Sequence, residues 1–206
     1  MTTTNPAPSR REQLKARQEA ETRRDTKRRT WSRIIGGVVT LIVVVVVGYG
    51  LWTAIPEQGD TQRVAPDFTL TTTAGATVTL SDLRPSPVLI YFNEGAGCAS
   101  CTMQMAEIEK NPGFAEAGIQ VLPIVMNSAE QILPDMQQFG VTTPYLLDDG
   151  TVSKAYDVLD KGMHPGMPGH GFVLIDGEGV QRWYGNYPSM WLDPQELLDE
   201  VTTRLR

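Results

Sequence analysis

Two cysteines, Cys98 and Cys101, are the residues of this sequence best suited to covalent chemistry, and they form a Cys-x-x-Cys segment. The 206 residues include no third cysteine with which either could pair. Thiols at this spacing can act as a redox couple, form a structural disulfide or supply half of a metal site. A tetrahedral zinc site would need two further ligands, and there is no second Cys-x-x-Cys.

The residues around this pair predict a strand, a loop and a helix. Val88–Asn93 is an apolar run without alternation, which is typical of a central strand covered on both faces. A loop, Glu94–Gly97, follows, and a helix is predicted from Cys98 to about Lys110. The N-terminus of a helix carries unpaired N–H groups and partial positive charge, which favour a thiolate over a thiol. One sulfur could then attack a substrate disulfide while the other resolves the mixed disulfide.

The elements that must position the pair read as an α/β sandwich around a mixed sheet. Ser128 to Gln131 match a capping box, and Asp193 followed by Pro194 predicts the start of the last helix. The predicted strands are Ala65–Leu70, Val78–Leu80, Ile119–Met126, Tyr145–Leu147, Phe172–Ile175 and Val180–Tyr184, and the further helices are Ser128–Phe139, Val152–Tyr156 and Asp193–Arg204.

Charge is distributed unevenly along the chain. Residues 1–33 hold ten of the 18 Lys and Arg residues but only four of the 24 Asp and Glu residues, so the remainder is strongly acidic. Between these parts, Ile34–Trp52 carries no charge. As a helix this segment would extend about 28 Å, close to the thickness of a bilayer's hydrocarbon core. The sequence therefore predicts a single transmembrane anchor.

The flanks of this apolar segment predict its orientation. A cleaved signal peptide would have a shorter apolar region followed by a small-residue cleavage site, which Tyr49–Pro56 does not resemble. Positive charge stays on the cytoplasmic side, so the acidic part is expected outside the membrane, where disulfides persist. The basic arm is expected to set topology and meet anionic lipid rather than to bind nucleic acid. The predicted organisation is a basic cytoplasmic arm (1–33), an anchor (34–52), a linker (53–64) and a folded domain (65–206).

The folded part resembles the thioredoxin-fold superfamily, in the branch shared by membrane-anchored extracytoplasmic thiol-disulfide oxidoreductases and peroxiredoxin-like (AhpC/TSA) proteins. The resemblance rests on the opening strand Ala65–Leu70, on Cys-Ala-Ser-Cys after the first central strand, and on Phe172–Asp176 with its Gly-Glu-Gly turn. It covers residue 64 to the C-terminus. It implies a thioredoxin-like sandwich with an N-terminal strand extension, preceded here by the transmembrane helix.

The resemblance implies two alternative roles for the cysteines. In disulfide exchange Cys98 attacks and Cys101 resolves, with a protein thiol or disulfide as partner. In peroxide reduction Cys101 would be oxidised to a sulfenic acid, and Cys98 would resolve it. Gly97 stands where thioredoxins usually carry tryptophan, and His170 stands where they place a cis-proline. No cofactor is expected.

Glu94 and His170 are two further candidates for a role near the pair. Glu94 is expected to be a solvated loop acid; close to the thiols it would oppose thiolate formation or accept a proton. His170 lies in a loop that should face the cysteine helix, where it could tune the thiolate or donate a hydrogen bond to a bound peroxide or thiol. The same loop suggests an alternative: thioredoxin-fold copper chaperones for cytochrome oxidase use two cysteines and a histidine, here Cys98, Cys101 and His170.

Overall fold

The computed structural model of this protein describes residues 10–53 and 55–206, without the side chains of residues 12–30. The chain divides into two units, residues 1–52 and 53–206, which are described separately. The first nine residues of the predicted basic arm lie outside the described part.

The first unit is dominated by one helix, α1, which spans Arg10–Thr53. Its segment Trp31–Thr53 has 23 residues, a mean hydropathy of 2.6 and no buried residues. This segment is long and apolar enough to cross a membrane. The predicted anchor, Ile34–Trp52, lies within it.

The second unit is built on one mixed sheet of eight strands in the order β1-β8-β7-β4-β5-β6-β2-β3. Strand β4 lies parallel to β5 and antiparallel to β7. The strands are β1 Glu57–Val64, β2 Thr69–Thr72, β3 Thr77–Thr79, β4 Val88–Phe92, β5 Gln120–Val125, β6 Leu146–Leu147, β7 Gly171–Ile175 and β8 Val180–Asn186.

The helices of this unit are α2 Ala99–Lys110, α3 Gly113–Glu116, α4 Ala129–Phe139, α5 Thr151–Ala155 and α6 Pro194–Arg204, with a 3₁₀ turn over Leu80–Leu83. The Ser128 capping box opens α4, and Asp193 caps α6 with Pro194 in its first turn, as predicted. The α/β sandwich is therefore confirmed.

The central strands are apolar throughout because both of their faces are covered. All five residues of β4 and of β7 are buried. On one face, Leu89 and Tyr91 of β4 pack with side chains of α2, α4 and α6. On the other face, Ile90 and Phe92 pack with Val152 and with residues near the 3₁₀ turn. Helix α2, which begins within the Cys-x-x-Cys segment and contains Cys101, is thus fixed against the middle of the sheet.

Strand β1 differs from the linker predicted over residues 53–64. Glu57–Val64 forms an edge strand that pairs antiparallel with β8, with a register shift between Asp60 and Arg63. Seven of its eight residues are exposed and Thr61 is half-buried. A polar edge strand is held by backbone hydrogen bonds rather than by an apolar face, so its sequence lacks the alternation that identifies a strand.

The opening strand also begins later than predicted. Ala65–Phe68 lies outside the strands, and β2 starts at Thr69. Asp67 accepts hydrogen bonds from the backbone N–H groups of Phe68 and Ser81 and from the Ser81 hydroxyl, and these lower the pKa of its carboxyl group. The side chain of Asp67 thus takes the place of strand pairing at this point.

Candidate active site: the Cys98–Cys101 pair

The cysteine pair lies at the start of α2, shortly after the end of the central strand β4. Cys98 occupies the N-cap position, and its Sγ atom accepts a hydrogen bond of 3.3 Å from the backbone N–H of Cys101. The two residues form a disulfide, with their Cα atoms 5.3 Å apart. The sulfur of Cys98 therefore receives an N–H group of the helix terminus, the environment that stabilises a thiolate.

The two cysteines differ in their access to solvent. Cys101 is fully buried, whereas Cys98 is partly exposed. The hydroxyl of the buried Tyr91 donates a hydrogen bond of 3.1 Å to the backbone carbonyl of Cys101. A large substrate approaching from solvent can therefore reach the sulfur of Cys98 first.

The loop before Cys98 is held by side chains from elsewhere in the chain. The N–H group of Gly97 donates to a carboxylate oxygen of Asp135 at 2.8 Å, and the N–H group of Ala96 donates to Asn127 at 2.9 Å. Asn93 accepts from Gly95. The sequence did not identify Asn127 and Asp135 as site residues, and only their position after the next parallel strand β5 could have indicated them.

The backbone conformation at Gly97 explains why this residue is a glycine. Its φ is +90°, a conformation that residues with a side chain rarely adopt. This conformation turns its N–H group towards Asp135 and leads the chain directly into the Cys98 cap. A residue with a side chain would be strained at this position, so the conformation of the loop favours glycine here.

Glu94 is a buried loop anchor, and its interpretation as a solvated acid was wrong. Its side chain is only 4% exposed. One carboxylate oxygen accepts from the Met163 N–H at 2.8 Å, and the other lies 2.7 Å from Nδ1 of His164. The carboxylate thus ties the loop before β7 to the loop before the cysteines. His164 is a partner that no pattern in the sequence predicts.

His170 lies beneath α2, as the expected facing of its loop requires, but it has no exposed surface. Its Nδ1 atom is 3.0 Å from the Tyr91 hydroxyl, and its Nε2 atom is 3.4 Å from both that hydroxyl and Oε1 of Gln104. Burial lowers the pKa of His170 to about 3, so the imidazole is neutral at physiological pH. Burial also raises the pKa of Tyr91 well above its ordinary value. Donation by His170 to a substrate in solvent does not fit this position.

Comparison with known proteins identifies the family of this chain. The AhpC/TSA family profile matches residues 61–183, more than half of the sequence. The chain belongs to the AhpC/TSA family. The match includes Cys98, Cys101, Glu94, Gly97 and His170, whereas the apolar helix α1 precedes it.

Individual relatives agree with this assignment. A Mycobacterium tuberculosis protein named as a peroxiredoxin is 35% identical over 121 residues, which cover 56% of this chain and 77% of that protein. Thiol-disulfide oxidoreductase ResA of Bacillus subtilis is 30% identical over 128 residues, covering 58% of this chain and 70% of that protein. The crystal structure of peroxidoxin BcpB from Mycobacterium tuberculosis superposes with a TM-score of 0.58 at 21% identity, covering 71% of this chain and 96% of that chain.

These likenesses confirm the thioredoxin-like fold, and the AhpC/TSA protein described here is a redox enzyme. Its relatives include both peroxiredoxins and a thiol-disulfide oxidoreductase. The family match alone therefore leaves the choice between peroxide and disulfide chemistry to the geometry of the cysteine pair.

The copper alternative does not fit the side chains of this family member. Both imidazole nitrogens of His170 lie against Tyr91 and Gln104. In the described part of the chain, no group of three or more His, Cys, Asp or Glu side chains is arranged to hold a metal ion.

Proposed function

We propose that this AhpC/TSA protein is a membrane-anchored, extracytoplasmic thiol-disulfide oxidoreductase whose redox couple is Cys98 and Cys101. The unequal exposure of the two cysteines carries the proposal. Cys98 is accessible at a helix N-terminus, and Cys101 is fully buried one turn further on. This is the arrangement that exchange with a protein disulfide requires, because a protein can reach only an accessible sulfur.

The reaction proceeds in two exchanges. In the reduced enzyme the Cys98 thiolate attacks one sulfur of the partner disulfide, forming a mixed disulfide and releasing the first partner thiolate. Cys101 then loses its proton and attacks Cys98, which re-forms the Cys98–Cys101 bond and releases the second partner thiolate. Two electrons pass from the enzyme to the partner; the proton of Cys101 and one proton from solvent neutralise the two released thiolates, and the reverse sequence oxidises a partner dithiol.

The loop before Cys98 supports the attacking sulfur. Asp135 and Asn127 accept backbone N–H groups of Gly97 and Ala96, which fixes the path of the chain into the helix. Glu94 is committed to Met163 and His164, so it holds the neighbouring loop in place. Gly97 and Glu94 are therefore assigned positioning roles.

The site of action follows from the first unit of the chain. The segment Trp31–Thr53 is apolar enough to span a bilayer, and the preceding residues are strongly basic. With the basic arm in the cytoplasm, the cysteine domain lies outside the membrane. Labelling intact cells that express the chain with a membrane-impermeant maleimide tests this: after mild reduction Cys98 should be labelled. Labelling only after lysis would refute the orientation.

The roles of the two sulfurs are tested with serine variants of the full chain in detergent micelles. With glutathione disulfide as the probe, Cys101→Ser should accumulate a mixed disulfide on Cys98, and Cys98→Ser should accumulate none. Trapping on Cys101 alone would overturn the assignment. If the wild type shows no two-electron transition in a graded redox buffer, the pair is a structural disulfide and the function fails.

A second candidate, peroxide reduction, is favoured by the peroxiredoxin relative. It would begin with oxidation of Cys101 to a sulfenic acid, with Cys98 as the resolving thiol. Dimedone traps sulfenic acids, so the Cys98→Ser variant is treated with hydrogen peroxide and dimedone. If the protein exchanges disulfides, dimedone should label the buried Cys101 slowly, and the labelling should stay incomplete at micromolar peroxide. Rapid labelling at micromolar peroxide would instead establish the peroxidase.

A further inference from the structure

The carboxylate of Asp135 lies beside the start of the cysteine helix. Its Oδ2 atom accepts the N–H group of Gly97 at 2.8 Å, and Gly97 is the residue directly before Cys98. Asp135 belongs to α4, which packs against α2. A charge from a distant part of the sequence is therefore held next to the residue that attacks a partner disulfide.

Among the described residues, no cationic side chain forms an ion pair with Asp135. The ion pairs of Lys and Arg in the second unit all involve other acids: Lys110 with Glu107, Lys161 with Glu57, Arg182 with Asp176, and Arg204 with Asp60 and Glu200. Burial and then the negative charges of Glu109 and Asp135 raise the pKa of Tyr145. The charge of Asp135 therefore acts on neighbouring groups.

The segment around Cys98 offers little shielding from this charge. Gly97, Ala99 and Ser100 are exposed, and none of them has a side chain larger than a hydroxymethyl group. The hydrogen bond between Gly97 and Asp135 itself lies at the surface. A partner that brings a disulfide to Cys98 therefore approaches within the electric field of the Asp135 carboxylate.

The unit that carries the cysteines has the same sign of charge as Asp135. Residues 53–206 contain 20 Asp and Glu residues but only eight Lys and Arg residues. This excess attracts cationic molecules and repels anionic ones at long range, and salt screens the effect. Glu94, the other acid near the pair, is 4% exposed and bonded to His164. Asp135 is therefore the acid that can act locally on an approaching partner.

We propose that Asp135 is a specificity-determining residue, which makes a disulfide flanked by Lys or Arg side chains a better partner for Cys98 than one flanked by Asp or Glu. The inference rests on the proposed function, because it concerns the first exchange at Cys98. In that step the Cys98 thiolate attacks one sulfur of the partner disulfide, and the other sulfur leaves as a thiolate. A cationic group beside the breaking bond is attracted by Asp135, whereas an anionic group is repelled.

Three small disulfides of different charge test this specificity: cystamine is cationic, hydroxyethyl disulfide is neutral and dithiodipropionate is anionic. The reduced full chain in non-ionic detergent micelles is mixed with each disulfide at an ionic strength of about 10 mM, where screening is weak. The reaction is stopped with a maleimide, and mass spectrometry gives the rate at which free thiols disappear. The wild type should react faster with cystamine than with dithiodipropionate, and added salt should narrow this difference.

The variant Asp135→Asn keeps an oxygen that can accept the Gly97 N–H group and removes the charge. For a substrate charge about 8 Å from the carboxylate, the ratio of the cystamine rate to the dithiodipropionate rate should fall about fivefold. Both rates depend on the same Cys98 thiolate, so a change in the amount of thiolate cancels in the ratio.

Glu178→Gln is the matched control, because it removes an equal charge at the opposite end of the sheet. Glu178 follows β7, whose last residue, Ile175, pairs with Val88 at the start of β4, whereas Cys98 follows the end of β4. At this distance the ratio should change by less than about 1.5-fold.

If the ratio changes no more in Asp135→Asn than in Glu178→Gln, the charge of Asp135 does not select the partner and the inference is overturned. A wild-type ratio that does not respond to salt overturns it as well, and this measurement needs no variant. Either result leaves the proposed function standing when the neutral hydroxyethyl disulfide oxidises the wild-type pair. If the neutral disulfide does not oxidise that pair, the proposed function itself fails, and the inference fails with it.

Discussion

Replacement of Glu94 by alanine should release the loop before β7 while leaving its ends in place. Glu94 accepts the Met163 N–H group and contacts His164, both in the middle of this loop. The loop ends are held separately, by the donation of the Asn186 amide to the Lys161 carbonyl and by the bridge between Leu159 and Pro168. The loss of order should therefore be local.

The two contacts of Glu94 set the magnitude. A hydrogen bond to a charged, buried acceptor contributes about 1.5–3 kcal/mol. The His164 side chain is 68% exposed, so competition with solvent reduces the contribution of its hydrogen bond to about 0.5 kcal/mol. A local opening free energy lower by about 2–3.5 kcal/mol corresponds to amide exchange about 30- to 300-fold faster at Met163. Glu94→Gln keeps an acceptor for Met163 and should accelerate exchange only about fivefold.

The measurement is hydrogen exchange of the full chain in micelles, read at residue resolution by mass spectrometry. Glu109→Ala is the matched control, because Glu109 holds a different loop by accepting the N–H groups of Thr142 and Thr143. It should accelerate exchange at Thr142 and leave Met163 unchanged. If Met163 exchanges at the wild-type rate in Glu94→Ala, the buried carboxylate does not anchor this loop, and the reasoning fails.

Two further predictions concern charge and pH. Asp135→Asn removes the negative charge of the carboxylate that accepts the Gly97 N–H group. The thiolate of reduced Cys98 should then be favoured, so its alkylation by iodoacetamide at pH 7 should become about two- to threefold faster. An unchanged alkylation rate would show that the charge of Asp135 does not act on Cys98. Burial lowers the pKa of His170 from 6.5 to about 3. As the pH falls below 6.5, the imidazole therefore becomes protonated in the unfolded chain while it stays neutral in the folded protein. The contribution of His170 is complete above about pH 6.5 and is lost by up to about 1.4 kcal/mol per pH unit as the pH falls towards 3. Urea unfolding between pH 3.5 and 7 should show a shallower slope for His170→Gln, and equal slopes would refute the assigned burial.

Much of the architecture could be predicted because it is encoded locally. The unbroken apolar run Val88–Asn93 reflects burial on both faces of β4. The capping residues Ser128 and Asp193 lie next to the helices they start. Strand β1 could not be predicted in this way, because its pairing with β8 uses backbone groups that every residue has.

The sequence by itself determined that Cys98 and Cys101 can bond only to each other within the chain, and that they lie at the start of a helix after a buried strand. It also determined the apolar character of the segment before the folded unit. These properties depend on residue type and on spacing over a few positions, which the sequence states directly.

The tertiary structure alone decided what surrounds the pair. Gly97 meets Asp135 across 38 positions, and Tyr91 meets His170 across 79. Such contacts depend on how β4, α4 and β7 pack against one another, and no local periodicity records them. Packing therefore made Glu94 a loop anchor, buried Cys101 completely and left Cys98 partly exposed.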